Sequence, residues 1–336
     1  MFQNITKSTV VLICLMLMFV LLSCGNAKKY VIIQGEQLCI TLTELNLSMM
    51  DLTNEDILLL AYLTNLENLR ISGSQISDLT PLKNLANLTS LNVAHNQITD
   101  ITPLSKLNNL VDLRLNGNQI SNIMPLADLS NLEMLLLNNN QIQDIDALAN
   151  LYNLRILRLD NNQISDITPL AELSNLRYLE LQNNQIQDMP SLAGLVGLRE
   201  LFLNNNQISD LTPLACLTNL WGLVLSDNQI SDLMPISNLK NLSDLSLDNN
   251  HISDITPLVY LSLYGLGLNN NQISDISPLA SLTNLEGLGL RNNKITDITP
   301  LAGLSEWMTL DIGNNPITDW SPIEHFHAVT GRPEQL

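Results

Sequence analysis

The chain repeats one pattern of apolar and polar positions, LxLxxNxI, along most of its length. We call the position of the Asn in this pattern the register position. Ten steps between successive register positions are 22 residues long and one is 21. The residues at these positions are Ser74, Asn96, Asn118, Asn140, Asn162, Asn184, Asn206, Asn228, Asn250, Asn271, Asn293 and Asn315. Such a period is typical of proteins that stack one small structural unit on the next. With a degenerate copy around Leu45, the pattern predicts about thirteen coils.

Each repeat contains the alternation of a short β-strand. In the repeat around Asn96, Leu91 and Val93 would point to one face, and Ser90 and Asn92 to the other. One such strand cannot bury its apolar residues alone, but parallel stacking of the coils joins them into one core. We therefore expect one parallel strand per coil, with an outward face of mostly polar side chains.

The residues after each strand predict a turn and a short return segment. The register Asn carries both a donor and an acceptor, so it can bond the turning backbone from coil to coil. Pro103 and its equivalents begin a return segment that fits a short helix or a 3-10 turn.

An Asp stands four residues after the register position in every coil except one, where Asn122 replaces it. Each Asp can cap the turn that follows it, as Asn can equally well. A calcium ladder is the alternative, but calcium needs six to eight oxygen ligands and one Asp per coil supplies few. The pattern favours capping and predicts no metal site.

The full repeat, LxxLxxLxLxxNxIxDIxPL, resembles the leucine-rich repeat of the internalin-type bacterial surface proteins over residues 42–323. This resemblance implies an α/β fold, a right-handed leucine-rich-repeat solenoid in the form of a horseshoe. Its parallel strands would form the concave face and its short 3-10 or helical turns the convex face. The resemblance also implies that a partner is recognised on the concave face.

Both ends of the array should be covered, because a solenoid exposes apolar surface at its terminal coils. We assign residues 38–66 to an N-terminal cap with a degenerate first repeat, in which Thr53 would cap a short helix with Glu55 and Asp56 in its first turn. Residues 67–323 form the array of about twelve repeats, and residues 324–336 a C-terminal cap or tail. His325 and His327 in this tail are too few ligands to indicate a metal site.

The first residues have the features of a secretory signal. The run from Val10 to Leu22 is apolar and follows Lys7, but it is shorter than the roughly 20 residues of a membrane-spanning helix. The sequence from Leu21 to Cys24 resembles the lipobox of bacterial lipoproteins, which implies a signal peptide over residues 1–23, a lipidated Cys24 and a tether over residues 24–37. An ordinary signal peptide or an uncleaved anchor is the alternative.

Composition excludes several classes of function. The formal net charge is −18, which argues against a nucleic-acid ligand, because such ligands require a basic surface. No phosphate-binding loop, zinc-ligand spacing or catalytic triad context is present. We therefore predict a non-enzymatic monomer without a cofactor.

The outward strand positions differ among the coils. They are mostly polar in the early coils, and in the late coils Gly265, Gly267, Gly287 and Gly289 leave the surface bare. Such bare surface fits either a closely approaching partner or an uncommitted region. The middle coils instead carry large apolar side chains with charges around them. The predicted partner-binding residues are Met134, Leu136, Ile156, Arg158, Tyr178, Glu180, Phe202, Trp221 and Val224.

A contiguous exposed apolar patch marks an interaction site, and aromatic residues are preferred anchors of interfaces. The alternative is that these side chains only pack on each other, as cross-strand neighbours do in any sheet. We predict a lipid-anchored protein of the cell surface that binds a protein or glycan partner. A regulatory scaffold resembling the leucine-rich-repeat subunit of protein phosphatase and a structural envelope protein are the alternatives.

Overall fold

The computed structural model describes residues 30–190 and 192–332, which form two compact units that divide after Leu136. The predicted signal peptide and Cys24 lie outside the described residues. Unit 1 contains seven strands: β1 (Tyr30–Ile33), β2 (Glu36–Cys39), β3 (Glu44–Asn46), β4 (Asn68–Arg70), β5 (Ser90–Asn92), β6 (Asp112–Arg114) and β7 (Met134–Leu136). Strands β3 to β7 pair in parallel, each with the next in the sequence.

Unit 2 continues the same construction with nine parallel strands. They are β8 (Ile156–Arg158), β9 (Tyr178–Glu180), β10 (Glu200–Phe202), β11 (Gly222–Val224), β12 (Asp244–Ser246), β13 (Gly265–Gly267), β14 (Gly287–Gly289), β15 (Thr309–Asp311) and β16 (Ala328–Thr330). Each pairs in parallel with its neighbour in the sequence. One strand per coil is the arrangement that the 22-residue period predicts.

The return segments are 3-10 helices. In unit 1 they are η1 (Leu58–Tyr62), η2 (Thr80–Leu82), η3 (Thr102–Leu104) and η4 (Met124–Leu126). In unit 2 they are η5 (Asp146–Leu148), η6 (Thr168–Leu170), η7 (Thr212–Leu214), η8 (Met234–Ile236), η9 (Thr256–Tyr260), η10 (Ser277–Ser281), η11 (Thr299–Leu301) and η12 (Ser321–Ile323). The predicted leucine-rich-repeat architecture, with parallel strands on one side and short 3-10 turns on the other, is confirmed.

The core of each unit consists of stacked Leu and Ile side chains. Leu91 and Val93 are fully buried, as the strand alternation predicts, and so is Ile98 after the turn. Burial of one such side chain stabilises the fold by about 1.5–3 kcal/mol.

The register Asn residues satisfy the turning backbone of two coils at once. Asn96 Oδ1 accepts a hydrogen bond from the N–H of Ile76 in the preceding coil, at 3.1 Å. Its Nδ2 donates to the carbonyls of Ile71 and Val93, each at 3.0 Å. The amide therefore closes its own turn and fixes it to the coil before. The predicted Asn ladder is present.

The Asp column caps the return segments. Asp100 Oδ1 accepts a hydrogen bond from the N–H of Thr102, the first residue of η3, at 2.8 Å. Asn122 Oδ1 accepts the equivalent bond from Met124 at 2.9 Å, which shows why Asn can replace Asp there. Bonds from the Thr side chain and backbone lower the pKa of the Asp100 carboxyl, because they favour its charged form.

Both ends of the fold differ in detail from the sequence-based prediction. Strands β1 and β2 pair as an antiparallel hairpin, so regular structure begins inside the region predicted as a tether. Thr53 does not cap a helix: its N–H and Oγ1 both donate to Asp56 Oδ2 at 2.8 Å, and η1 begins only at Leu58. In the predicted tail, β16 adds a strand to β15.

Candidate partner-binding surface

The outward side chains of strands β8 to β11 form a surface on unit 2, which we call the strand face. The central residue of each strand is buried, as Leu157, Leu179 and Leu201 show, whereas the flanking side chains are half-buried, except for the buried Glu180. The register pairs Ile156 with Tyr178 on neighbouring strands. The predicted residues of these coils therefore point away from the core.

Tyr178 is at the centre of the strand face. Its ring lies 5.4 Å from the ring of Phe202, centroid to centroid, at an angle of 47°. The guanidinium of Arg158 lies over the Tyr178 ring, 5.3 Å from its centroid. Tilted aromatic pairs and cation–π contacts each contribute about 0.5–1.5 kcal/mol. These contacts hold the three side chains in one arrangement without a partner.

Glu180 ties the same side chains together. Its carboxylate accepts a hydrogen bond from the Tyr178 hydroxyl and lies 3.5 Å from Arg158 Nε. Glu180 is only 8% exposed, although the sequence places it among the accessible binding residues. Burial, and then the Glu180 carboxylate beside it, raise the pKa of the Tyr178 hydroxyl to about 12.

Asp160 is a second buried carboxyl on this face. It is 5% exposed, its Oδ2 accepts a hydrogen bond from Asn161 Nδ2 at 2.6 Å, and its Oδ1 has no partner among the described residues. Burial, and then the neighbouring Glu180, raise the pKa of Asp160 to about 6. The sequence places Asp160 among the charged residues around the apolar patch, but its burial could not be predicted, because the position two residues before the register Asn is polar in almost every coil.

A depression of about 390 Å³ lies beside Phe202, and we call it the glycine groove. Its apolar walls are Phe202, Trp221 and Val224, with Trp221 43% exposed. Its floor is made by glycines together with Leu223, Leu245, Ser246 and Leu266, and its carboxylates come from two strands. Further lining residues are Glu200, Asp244, Gly222, Gly265, Gly267 and Gly287. The sequence showed these glycines but not that they adjoin the aromatic residues.

Two of the predicted residues, Met134 and Leu136, lie in β7 of unit 1, whereas the other seven belong to unit 2. Both are half-buried and outward, next to Asp112 and Arg114 on β6. Arg114 bonds Asp112 through Nη2 at 2.9 Å and contacts Met134 Sδ at 3.8 Å. Met134 and Leu136 therefore lie beside the bonded pair of Asp112 and Arg114.

Other candidate sites carry little chemistry. Within residues 30–190 and 192–332, no group of three potential ligands could hold a metal ion, and no helix has the length and apolar character to span a membrane. In the C-terminal segment, His325 stacks on Phe326 at 4.6 Å and His327 lies 4.4 Å from the ring of Trp307. Cys216 is a free, exposed thiol.

Comparison with protein families gives a match along most of the chain. The family model of leucine-rich repeats in two copies matches residues 86–128, 130–172, 174–216, 218–260, 265–303 and 283–325. A comparison with curated proteins gave no match.

Solved structures show the same architecture. An internalin of Listeria monocytogenes is 35% identical, with a TM-score of 0.86 and 95% of each chain covered. A leucine-rich repeat protein of Leptospira interrogans is 25% identical, with a TM-score of 0.67, and the match covers 83% of this chain and 77% of that one. The ectodomain of an Arabidopsis thaliana receptor kinase, solved with Casparian strip integrity factor 2, shares the fold at 23% identity and a TM-score of 0.74, over 87% of this chain and 38% of that one.

Proposed function

The chain belongs to the leucine-rich repeat family and is of the internalin type, and on this premise we propose that it binds a protein partner through the strand face of unit 2 and catalyses no reaction. Proteins of this fold are typical protein-binding modules. The partner would contact the apolar patch formed by Ile156, Tyr178, Phe202, Trp221 and Val224, with Arg158 and Glu180 holding Tyr178 in place. Met134 and Leu136 are proposed as partner-binding residues of unit 1 by itself.

The observation that carries this proposal is the contact between Tyr178 and Phe202, with the Arg158 guanidinium packed on the Tyr178 ring. Interface anchors are commonly Tyr, Trp and Arg side chains in well-packed surroundings. Side chains that are already fixed lose less conformational entropy when a partner binds. The patch therefore has the composition and the rigidity of a binding surface.

The structural relatives give supporting context. The plant receptor ectodomain was solved in complex with Casparian strip integrity factor 2, and the Listeria protein is an internalin. A chain with the same fold and an apolar outward patch fits a similar use. The structural alternative provides no reason for tilted aromatic rings on an outward face.

We also propose that the protein is exported and held at the membrane by a lipid on Cys24, facing the exterior. Support comes from the sequence of residues 1–24 alone. Mass spectrometry of the mature N-terminus tests it directly: a diacylglycerol-modified Cys24 is expected, and an intact Met1 would contradict both export and the anchor. Replacing Cys24→Ser should release the protein from the membrane fraction.

Partner binding is tested by removing both anchor rings. The Tyr178→Ala/Phe202→Ala variant should lose at least about tenfold in affinity for a partner captured from surface-protein extracts, as expected for hot-spot truncation. The matched control is Tyr152→Ala/Tyr260→Ala, which removes two exposed rings outside the strand face. Equal capture by the wild type and by both folded variants would move the binding site elsewhere. A wild type that captures no specific protein would favour the structural alternative.

A further inference from the structure

The glycine groove combines an apolar wall with carboxylates that lack cationic partners. Glu200 and Asp244 line it, and neither lies within ion-pair distance of a basic side chain among residues 30–190 and 192–332. The described ion pairs of the strands involve other acids, such as Glu180 with Arg158 and Asp311 with Arg291. The groove therefore presents negative charge that the protein itself does not neutralise.

The strand register sets the width of the gap between these acids. Glu200 pairs with Gly222, and Gly222 pairs with Asp244, so the two acids are two strands apart. Neighbouring strands are about 4.8 Å apart, which places the two backbones about 10 Å from each other. Because Gly222 has no side chain, the space between the carboxylates stays open to a ligand.

The carboxylates of Asp244, which lines the groove, and of Asp248, which lies outside it, cover Gly265 and Gly267. Asp244 Oδ1 lies 2.7 Å from the position that a Cβ on Gly265 would occupy, and Asp248 Oδ1 lies 2.9 Å from the equivalent point on Gly267. A side chain at either glycine would displace these groups. The absence of side chains at these glycines thus leaves room for the two carboxylates above the neighbouring strand.

The walls define the rest of the ligand. Trp221, Phe202 and Val224 offer apolar and aromatic surface beside the acids. A cation over an aromatic face gains about 0.5–2 kcal/mol, and Lys and Arg bury their methylene stems along apolar surface while the charged end meets acids. A neutral apolar group would leave the carboxylates unpaired, and an anion would be repelled.

Resting on the proposed function, we infer that the glycine groove receives a Lys or Arg side chain from an extended segment of the protein partner. The aliphatic stem lies against Trp221 and Phe202, and the cationic end lies between Glu200 and Asp244. The gap between the acids, the apolar wall and the two carboxylates without a basic partner each match one part of this ligand, although Asp244 Oδ2 also accepts a hydrogen bond from Ser243 Oγ at 2.8 Å.

The test uses the full chain and four labelled nine-residue peptides that differ only in the central residue, which is Arg, Lys, citrulline or Glu. Citrulline keeps the shape of Arg without its charge. Fluorescence polarisation should show at least tenfold tighter binding of the Arg and Lys peptides than of the other two. The preference should weaken between about 50 and 300 mM salt, because salt screens exposed charges.

Two charge-matched variants separate the groove from the acidity of the whole protein. Glu200→Gln/Asp244→Asn should lower the affinity for the Arg peptide at least tenfold and leave the citrulline peptide unchanged. Asp128→Asn/Glu172→Gln removes the same charge from exposed positions on the return segments and should have no effect. Equal loss in both variants, equal binding of the Arg and citrulline peptides, or no binding of the Arg peptide at about 1 mM would each overturn the inference.

Partner capture distinguishes this inference from the proposed function. If Glu200→Gln/Asp244→Asn captures the partner as the wild type does, while Tyr178→Ala/Phe202→Ala does not, the strand face binds but the groove takes no cation. If the wild type captures nothing, the proposed function fails, and the peptide comparison still decides whether the groove prefers a cation.

Discussion

The Tyr178 hydroxyl donates a hydrogen bond to the carboxylate of Glu180, two residues along the same strand and on the same outward face. Residues at this spacing in a strand share a face, so the bond costs no distortion of the backbone. It links the aromatic pair with Phe202 to the ion pair with Arg158. The most apolar part of the strand face is therefore fixed by polar contacts.

Removal of this hydroxyl separates the two contributions of Tyr178. Tyr178→Phe keeps the ring against Phe202 but leaves Glu180 with one partner fewer, and it should lower the free energy of unfolding by about 1–2 kcal/mol. Tyr178→Ala also loses the ring and should cost more. Urea denaturation measures both. Tyr152→Phe, whose exposed hydroxyl bonds Asn150 at 3.1 Å, is the control and should change little.

Asp160 should make stability depend on pH between about 4 and 6. Its pKa is raised from 3.8 to about 6 in the folded protein, so the folded state binds the proton more tightly than the unfolded state. Its contribution is therefore unfavourable above pH 6 and absent below pH 4, where both states are protonated. Asp160→Asn should raise stability at pH 7 by about 1–3 kcal/mol and leave it nearly unchanged at pH 4. Thermal unfolding of both proteins at the two pH values checks this, and an equal gain at both would be the contrary result.

The register Asn should be the most sensitive polar position of a coil. Asn228 accepts from the N–H of Ile208 at 2.9 Å and donates to the carbonyls of Leu203 and Leu225 at 3.0 and 3.1 Å. Asn228→Ala leaves these buried groups without hydrogen-bond partners and should lower the free energy of unfolding by about 3 kcal/mol or more. The exposed Asn219 makes one bond, to the carbonyl of Val196 at 2.7 Å, and Asn219→Ala should cost about 1 kcal/mol or less. Equal losses in guanidinium denaturation would contradict the ladder.

The capping Asp residues should respond to pH in the opposite sense to Asp160. Asp166 Oδ1 accepts from the N–H of Thr168 at 2.8 Å, and the side chain and backbone of Thr168 lower the pKa of the Asp166 carboxyl. The charged form thus stabilises the fold above about pH 3.8, and this contribution is lost as the pH falls through the lower folded pKa. Asp166→Ala should cost about 1 kcal/mol at pH 7, whereas Asp166→Asn, which can still cap, should cost less. A cost of Asp166→Ala that is the same at pH 7 and pH 2.5 would show that the charge has no role.

The fold could be predicted from the sequence because its causes recur in every coil. Asn96 bonds the backbone as its donor and acceptor suggest, and Asp100 caps the turn two residues later. The hairpin of β1 and β2 could not be predicted in this way, since it lies outside the period and has no second copy to reveal it.

The candidate site was predicted only in part. The alternation of strand residues gave the outward direction of Tyr178 and Phe202. It did not give the burial of Glu180 and Asp160, which depends on how neighbouring side chains cover them. Nor could it show the groove, because Trp221 precedes its strand and the glycines belong to later coils. The solvent exposure of a residue depends on how its neighbours pack around it, and a repeat pattern does not contain this information.

The register amide that reaches back to the preceding coil also constrains how such a chain can change in length. If the following coil is removed, a backbone N–H of the remaining terminal coil loses its acceptor. Truncation in the middle of a repeat therefore destabilises the preceding coil as well. Insertion or deletion of one complete repeat leaves every register Asn with equivalent backbone groups to bond. The array can therefore change its length only by whole repeats. Each added repeat brings another pair of outward positions at which a new binding specificity can be selected.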